Sequence, residues 1–371
     1  MKKILVSVIN NISTDQRLAK VCTSLEKGGY EISVIGTNLY GLAPLHWVYK
    51  TQRFQLFFQK SFLLFAEFNF KLFWKLLFQS DKDTILLSND LDSLLPNYWV
   101  SKIKKIPIVF DSHEIYSELP SVQGRFSQKV WRKLEKFLIP KMKYFYTVSE
   151  SYANFFEKKY KNRPIVIRNM PFLQENDDFP LDFPLPKKSD EKQKILIYQG
   201  AVSAGRGIDK MIQAMQFLEN VQLWIVGDGL EKKEYEDLAE RLNLSSKIFF
   251  FGMILPEKLK KITPSADVGL CLEEDLGLSY CFALPNKLFD YIHAEIPVLG
   301  TNLPEIQNLV KKYEIGEIID EHSPQNIAEK LQKLLEKGKD FYKNQLKTAK
   351  NELCWEAEEP KLLSLFHPIG K

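Results

Sequence analysis

Short β-branched runs alternate with helically spaced apolar residues along almost the whole chain, and the alternation stops and restarts once. Residues 3–9 are a run of this kind, ending in Asn10-Asn11. Leu18, Val21, Cys22 and Leu25 then recur at helical spacing up to Gly28-Gly29, and residues 31–35 give the next run. A strand, a helix, glycine and a strand in about 35 residues make one βα unit of a parallel sheet. Residues 84–87, 106–110, 144–148 and 165–167 supply further strands. Residues 173–193, broken by Pro180, Pro184 and Pro186, carry no period and read as a linker. The pattern then restarts with strands at 195–198, 221–226, 248–251 and 268–272, and helices at 208–218, 230–242, 256–262 and 324–335. The expected fold is α/β. It comprises two Rossmann-like doubly wound domains, 1–172 and 194–350, facing a cleft in which a ligand binds at the strand ends.

Two domains suit the length, because 371 residues are too many for one core. Hydrophobic content of 45% and charged content of 26% are those of a soluble globular protein. Cys22, Cys271, Cys281 and Cys354 form no CxxC pair and have no histidine at metal spacing, so they read as reduced thiols and no metal is expected. The opening MKKILVSVIN breaks into NNISTDQR without a cleavage site and reads as a first strand, not a signal peptide. No run of apolar residues is long enough to span a bilayer. The expected location is therefore the cytoplasm.

The net charge of +4 conceals basic clusters at Lys102-Lys104-Lys105 and from Arg125 to Lys143, where Glu135 is the one acid. Such clusters suit an anionic membrane surface as well as they suit solvated helix faces. No stacking motif, zinc-finger spacing or arginine-rich tail points to nucleic acid, so none is expected as a partner. Residues 54–79 form a Phe/Leu run interrupted by Lys60, Lys71 and Lys75. The run fits a helix lying in a membrane interface, and equally one or two helices packed on the sheet.

Residues 278–300, LSYCFALPNKLFDYIHAEIPVLG, concentrate the chemistry of the second half. Pro285 opens a helix at 286–294, and 296–299 is a buried strand closed by Gly300. With Asn286 and Lys287 in the first turn, free N–H groups, the helix dipole and an ammonium converge on one place for a phosphate. Asp290, one turn deeper, can accept from a ribose diol. An ordinary amphipathic helix with surface charges explains the same residues. The loop GAVSAGRG at 200–207 puts glycines and Arg206 at a helix entrance, where a guanidinium can grip two phosphate oxygens. It is neither a P-loop nor GxGxxG. Together with Lys287 and Asp290 it matches a nucleoside diphosphate. In the first half, Asn89-Asp90 and Asp111-Ser112-His113-Glu114 occupy strand exits. His113 is there as a substrate contact, a proton carrier or a structural hydrogen-bonder.

The segments YQGAVSAGRGIDKMIQA, WIVGDGLEKKEYEDLA, IFFFGMILPEKL, SADVGLCL, LPNKLFDYIHAEIPVLG and LPEI resemble the donor-binding half of GT-B glycosyltransferases, specifically glycosyltransferase family 4, also called group 1. DQRLAK, GGYEISVIG, FDSHEIYSE, TVSES and VIRNMP in the first half are similar too. CWEAEEPKLLSLF, within 351–371, resembles the last helix of that fold, which packs back on the first domain.

The resemblance implies a retaining, metal-independent transfer from a UDP- or GDP-sugar to a glycan or lipid-linked acceptor, in cell-surface polysaccharide synthesis at the inner face of a membrane. It assigns His113, Arg206 and Lys287 to catalysis. Gly200, Arg206, Gly227, Met253, Asn286, Lys287, Leu288 and Asp290 fall to the donor, with Gly252 and Met253 at the base. Asn11, Asp15, Arg17, Asp90, His113 and Glu114 fall to the acceptor side. The chain departs from the family at Ala201, where an arginine is usual, at Phe282, where the first acid of an E-x7-E pattern is usual, and at Asp290 in place of glutamate. Glu273, Glu274 and Asp275 are the nearby acids that could reach in. A GT-B sugar-nucleotide epimerase and a non-catalytic GT-B partner subunit are the alternatives that these departures leave.

Overall fold

The structure is a computed structural model in which residues 2–12, 15–38, 49–173 and 184–370 are described. The chain divides into two compact units, Met1–Asn169 with Ala357–Lys371, and Met170–Glu356. Of the linker expected at 173–193, residues 174–183 lie outside the described residues, as does His46.

The first unit runs β1 (Lys3–Asn11), α1 (Gln16–Lys27), β2 (Glu31–Thr37), β3 (Lys50–Phe54), α2 (Ser61–Gln79), β4 (Thr84–Asn89), α3 (Leu91–Lys104), β5 (Ile108–Ser112), α4 (Phe126–Leu138), β6 (Tyr144–Thr147), α5 (Glu150–Tyr160) and β7 (Ile165–Val166). All seven strands pair in parallel in the order β3-β2-β1-β4-β5-β6-β7. The order reverses beside β1, which makes the β1/β4 edge the topological switch point. β3 escapes the apolar pattern because it is a half-buried edge strand, KTQRF. β5 begins at Ile108, two residues later than its apolar run suggests, since Pro107 has no N–H to give. Of the Phe-rich run 54–79, Phe54 ends β3, a turn follows, and residues 61–79 are one helix on the sheet. Phe68, Leu72 and Leu76 of α2 are fully buried with Leu5, Ile35 and Leu86.

The second unit runs β8 (Lys194–Gln199), α6 (Ile208–Ala214), β9 (Val221–Val226), α7 (Lys232–Arg241), β10 (Ile248–Gly252), α8 (Pro256–Ile262), β11 (Val268–Cys271), α9 (Leu278–Cys281), α10 (Asn286–His293), β12 (Val298–Gly300), α11 (Pro304–Tyr313), β13 (Gly316–Ile318) and α12 (Pro324–Glu352), the last broken at Gly338. Its parallel sheet has the order β10-β9-β8-β11-β12-β13, with the switch point between β8 and β11. β12 starts at Val298, after Pro297, so the strand is shorter than the apolar run 296–299. The helix expected at 208–218 gives way to a 3₁₀ turn at Met215–Phe217.

The final helix, α13 (Trp355–Gly370), carries residues 357–371 into the first unit. Lys2 Nζ donates to Ile369 O at 2.9 Å, Tyr30 Oη to Phe366 O at 3.1 Å, and Leu362 and Phe366 are fully buried. No described helix is long and apolar enough to cross a membrane.

Candidate functional site

In the second unit the loops after β8, β9, β10 and β11 meet at the C-terminal edge of the sheet, around the switch point. α10 supplies its cation from above. The helix is fastened to the sheet by buried Tyr291, whose Oη accepts from Gln199 N at 3.2 Å and lies 3.1 Å from Leu270 O. The ring fits because residue 269 is glycine. A Cβ there would stand 2.3 Å from Tyr291 Cγ. The seat sets the register of the helix, so Lys287 and Asp290 project over the strand ends.

Lys287 Nζ lies 2.8 Å from Glu273 Oε1 and 4.0 Å from the centre of the Tyr198 ring. Arg206 Nη1 lies 3.7 Å from the same carboxylate oxygen, and its guanidinium sits 5.0 Å over the Tyr280 ring. Glu273 is 2% exposed and Lys287 8%. Burial alone would neutralise both groups. The opposite charge wins in each. Lys287 holds Glu273 below the usual carboxylate range, and Glu273 holds Lys287 above the usual lysine value. Cys271 Sγ donates to Glu273 Oε2 at 3.2 Å, and burial raises that thiol well above its ordinary value. Two cations on one carboxylate leave one positive charge at the mouth of the loop. Arg206 Nε, buried, has no hydrogen-bond partner among the described residues. The cluster is therefore suited to an anion.

Gly200 and Gly227 lie against each other. A Cβ on Gly227, at φ +145°, would stand 1.8 Å from Gly200 O. The two loops close to backbone contact only because there is no side chain between them. Gly227 N donates to Gly252 O at 2.8 Å, and Met253 beside it is exposed. Asp290, half-buried, accepts from Gln199 Nε2 at 2.8 Å, while Gln199 Oε1 accepts from Thr263 Oγ1 at 2.9 Å. Asn286 is exposed at the first turn of α10, with Pro285 as N-cap, and the helix ends at His293, one residue short of the expected 294. Leu288 has its side chain fully buried in the core, and its N–H goes to Pro285 O at 3.1 Å.

Glu273 is the acid that reaches the cations. The sequence offered it with Glu274 and Asp275 and did not choose among them. The signal was position, because Glu273 is the second residue past β11, the strand beside β8. Phe282 is half-buried and adds no carboxylate. Gln199 and Thr263 carried no signal at all.

The first unit gathers a different set at its own strand ends. Arg17 makes a two-pronged bond to Asp111, Nη2 to Oδ1 at 2.9 Å and Nε to Oδ2 at 3.1 Å, and Nη1 donates to Ile167 O at 3.0 Å. His113 Nε2 is 2.8 Å from Asp111 Oδ2, and Nδ1 is 3.4 Å from Asp90 Oδ2. Nε2 also lies 2.9 Å from Arg17 Nε. A carboxylate on each side favours the imidazolium, so Nε2–H donates to Asp111 and does not accept from Arg17. Burial opposes that charge, but Asp111 and Asp90 outweigh it and raise His113 to about 9. Against its own burial, Asp111 is lowered to about 2 by Arg17 and His113. Burial raises Asp90. Asp90 sits at φ +59°, ψ 168°, a strained backbone for any residue but glycine, and its Oδ1 accepts from His113 N at 2.7 Å.

The expected acceptor-side set is thus split. Asp90, Arg17 and His113 come together, with Arg17 buried inside the unit instead of facing out. Asp15 caps α1, accepting from Leu18 N at 2.9 Å, and Glu114 is exposed. The side chain of Asn11 lies outside the described residues.

Two units of parallel sheet and helix, each with its cluster at the switch point, define the GT-B class of fold. Sucrose-phosphate synthase from Thermosynechococcus elongatus superposes with a TM-score of 0.81 at 15% identity, over 100% of this chain and 99% of that one. An Anabaena protein, HepE, solved in complex with UDP and glucose, superposes at 0.74 with 14% identity, over 99% and 100%. Residues 183–352 match the family described as Glycosyl transferases group 1, and residues 16–170 match Glycosyltransferase Family 4. The chain belongs to the group 1, family 4 glycosyltransferases. A chitobiosyldiphosphodolichol beta-mannosyltransferase of Candida albicans is 24% identical over 195 residues, 48% of this chain and 42% of that protein. The chain spans well under two thirds of the curated relatives it matches, 35% of the first.

Proposed function

We propose that this protein transfers a sugar from a UDP- or GDP-sugar to a glycan or lipid-linked acceptor, with retention of configuration and without a metal, in the synthesis of cell-surface polysaccharide. The observation that carries the reading is the convergence of Arg206 and Lys287 on Glu273 beside α10, at a switch point where two glycine loops meet. In the reaction the bond from the sugar C1 to the diphosphate oxygen breaks, and a bond from C1 to the acceptor oxygen forms on the same face. The acceptor proton passes to the departing phosphate. Arg206 and Lys287 meet the charge that grows there, a role that in other enzymes is worth about 10²–10³ in rate per donor. Asp290, aimed by Gln199, takes the ribose diol. His113 stands on the acceptor side with a proton to share.

UDP and glucose in the Anabaena protein support a uridine donor, and the dolichol name of the Candida relative supports a lipid-linked acceptor. The reading places the work in the cytoplasm, with an anionic membrane surface as partner.

The test is incubation with a panel of nucleotide sugars. Release of free nucleotide that acceptor stimulates, chelator leaves unchanged and Arg206→Ala abolishes is the expected result. An isomerised nucleotide sugar without release, or binding without turnover, would overturn the transferase reading.

A further inference from the structure

Resting on the membrane partner of the proposed function, we infer that the outward side of α2, α3 and α4 is the surface that docks on a lipid bilayer with anionic headgroups. α2 carries large apolar residues on its outer side as well as its inner one, which a helix half in water does not need. Its inner residues fill the core. On the other side Phe70, Trp74 and Phe78, one turn apart in succession, are 66%, 43% and 80% exposed. Trp74 stacks on Phe78 with ring centres 5.9 Å apart, and Phe70 meets Trp74 edge-on at 6.4 Å, so the three form one ridge. Phe57, 85% exposed, stands in the turn before the helix, and the turn is held in place by Glu67, which accepts from Phe57 N and Phe58 N. Lys71 and Lys75 flank the ridge itself, while α3, packed against the side of α2 that carries Asn69, exposes Trp99 and Ile103, and Phe137 of α4 lies 6.4 Å from Trp99.

Charge selects the occupant. The acids of these three helices are Glu67, Asp92 and Glu135; Asp92 and Glu135 are buried, and Glu67 is neutralised at the surface by Lys71. Glu67 binds Lys71 and the two amides, Asp92 accepts from Tyr116 Oη at 2.8 Å, and Glu135 accepts from Ser117 N at 2.9 Å. Every exposed charged side chain described on α3 and α4 is basic. Aromatic rings between lysines fit a headgroup layer, where rings enter the acyl boundary and ammonium groups reach phosphates. A second copy of the chain would set lysine against lysine.

The test is co-sedimentation with vesicles of phosphatidylcholine and phosphatidylglycerol in equal parts, and with phosphatidylcholine alone, at low salt and at about 1 M salt. Binding is expected on the mixed vesicles at low salt and falls with salt or without the anionic lipid. Trp74→Ser with Phe78→Ser cuts the partition constant at least about tenfold. Lys102→Glu with Lys104→Glu also weakens it, by about fivefold for each lysine lost. All four positions are exposed, and unchanged circular dichroism confirms the variants fold. The inference is overturned if the wild-type chain stays in the supernatant, or if the aromatic variant sediments as the wild type does. A lipid-free dimer that the aromatic variant dissociates would also overturn it, giving the ridge to a second copy. No transferase activity is read, so failure here leaves the proposed reaction standing.

Discussion

Glu273 both holds and opposes. It holds Lys287 and Arg206 in place, and in the proposed reaction its charge opposes that of the arriving diphosphate. Glu273→Gln therefore tightens UDP binding in calorimetry while lowering kcat, because Lys287 loses the partner that aims it. Looser UDP binding would count against this account. His113 gives a pH signature. A group raised in the folded state from 6.5 to about 9 stabilises fully below pH 6.5, and the contribution is lost as pH rises through 9. At 1.36 kcal/mol per pH unit the loss is about 3 kcal/mol. Asp111, lowered to about 2, stabilises above pH 3.8 and gives way as pH falls through 2. Urea unfolding between pH 6 and 10 should show the alkaline loss in the parent and not in His113→Asn. That Arg206 and Lys287 stand near each other could be foreseen, because each comes just after a glycine or proline at a helix entrance of one sheet. Glu273 and Gln199 could not be singled out. Their roles depend on β8 and β11 being neighbours, which no local pattern records.

At the level of elements, the donor side rests on loops that touch backbone to backbone. Gly227→Ala puts a methyl into Gly200 O and forces the loops apart. The expected cost is about 1–3 kcal/mol of stability, read by thermal unfolding, with loss of nucleotide binding. Wild-type binding in this variant would show that the loops do not cradle the ligand. The strands with continuous apolar runs were readable from the sequence, since parallel strands are covered on both faces. β3 was not, being polar and at an edge. α2 was readable as helix material, but its two apolar faces belong to different surroundings, and periodicity alone could not assign one inward.

Over the whole molecule, the last helix completes the first unit. Deleting residues 357–371 removes Leu362 and Phe366 from that core, about 1.5–3 kcal/mol each, a large share of a domain's ~5–15 kcal/mol. Limited proteolysis should then digest the first unit and spare the second, whereas equal resistance of both would contradict the assignment. Helical spacing in this segment says nothing of where it docks, and only the family resemblance pointed to the first domain. The order of synthesis follows from the same connection. A ribosome making about 5–20 residues per second needs roughly 10–40 s to travel from Asn169 to Ala357. Through that time the N-terminal unit stands without its closing helix, its basic, aromatic side already out of the tunnel, so the half made first is the half finished last.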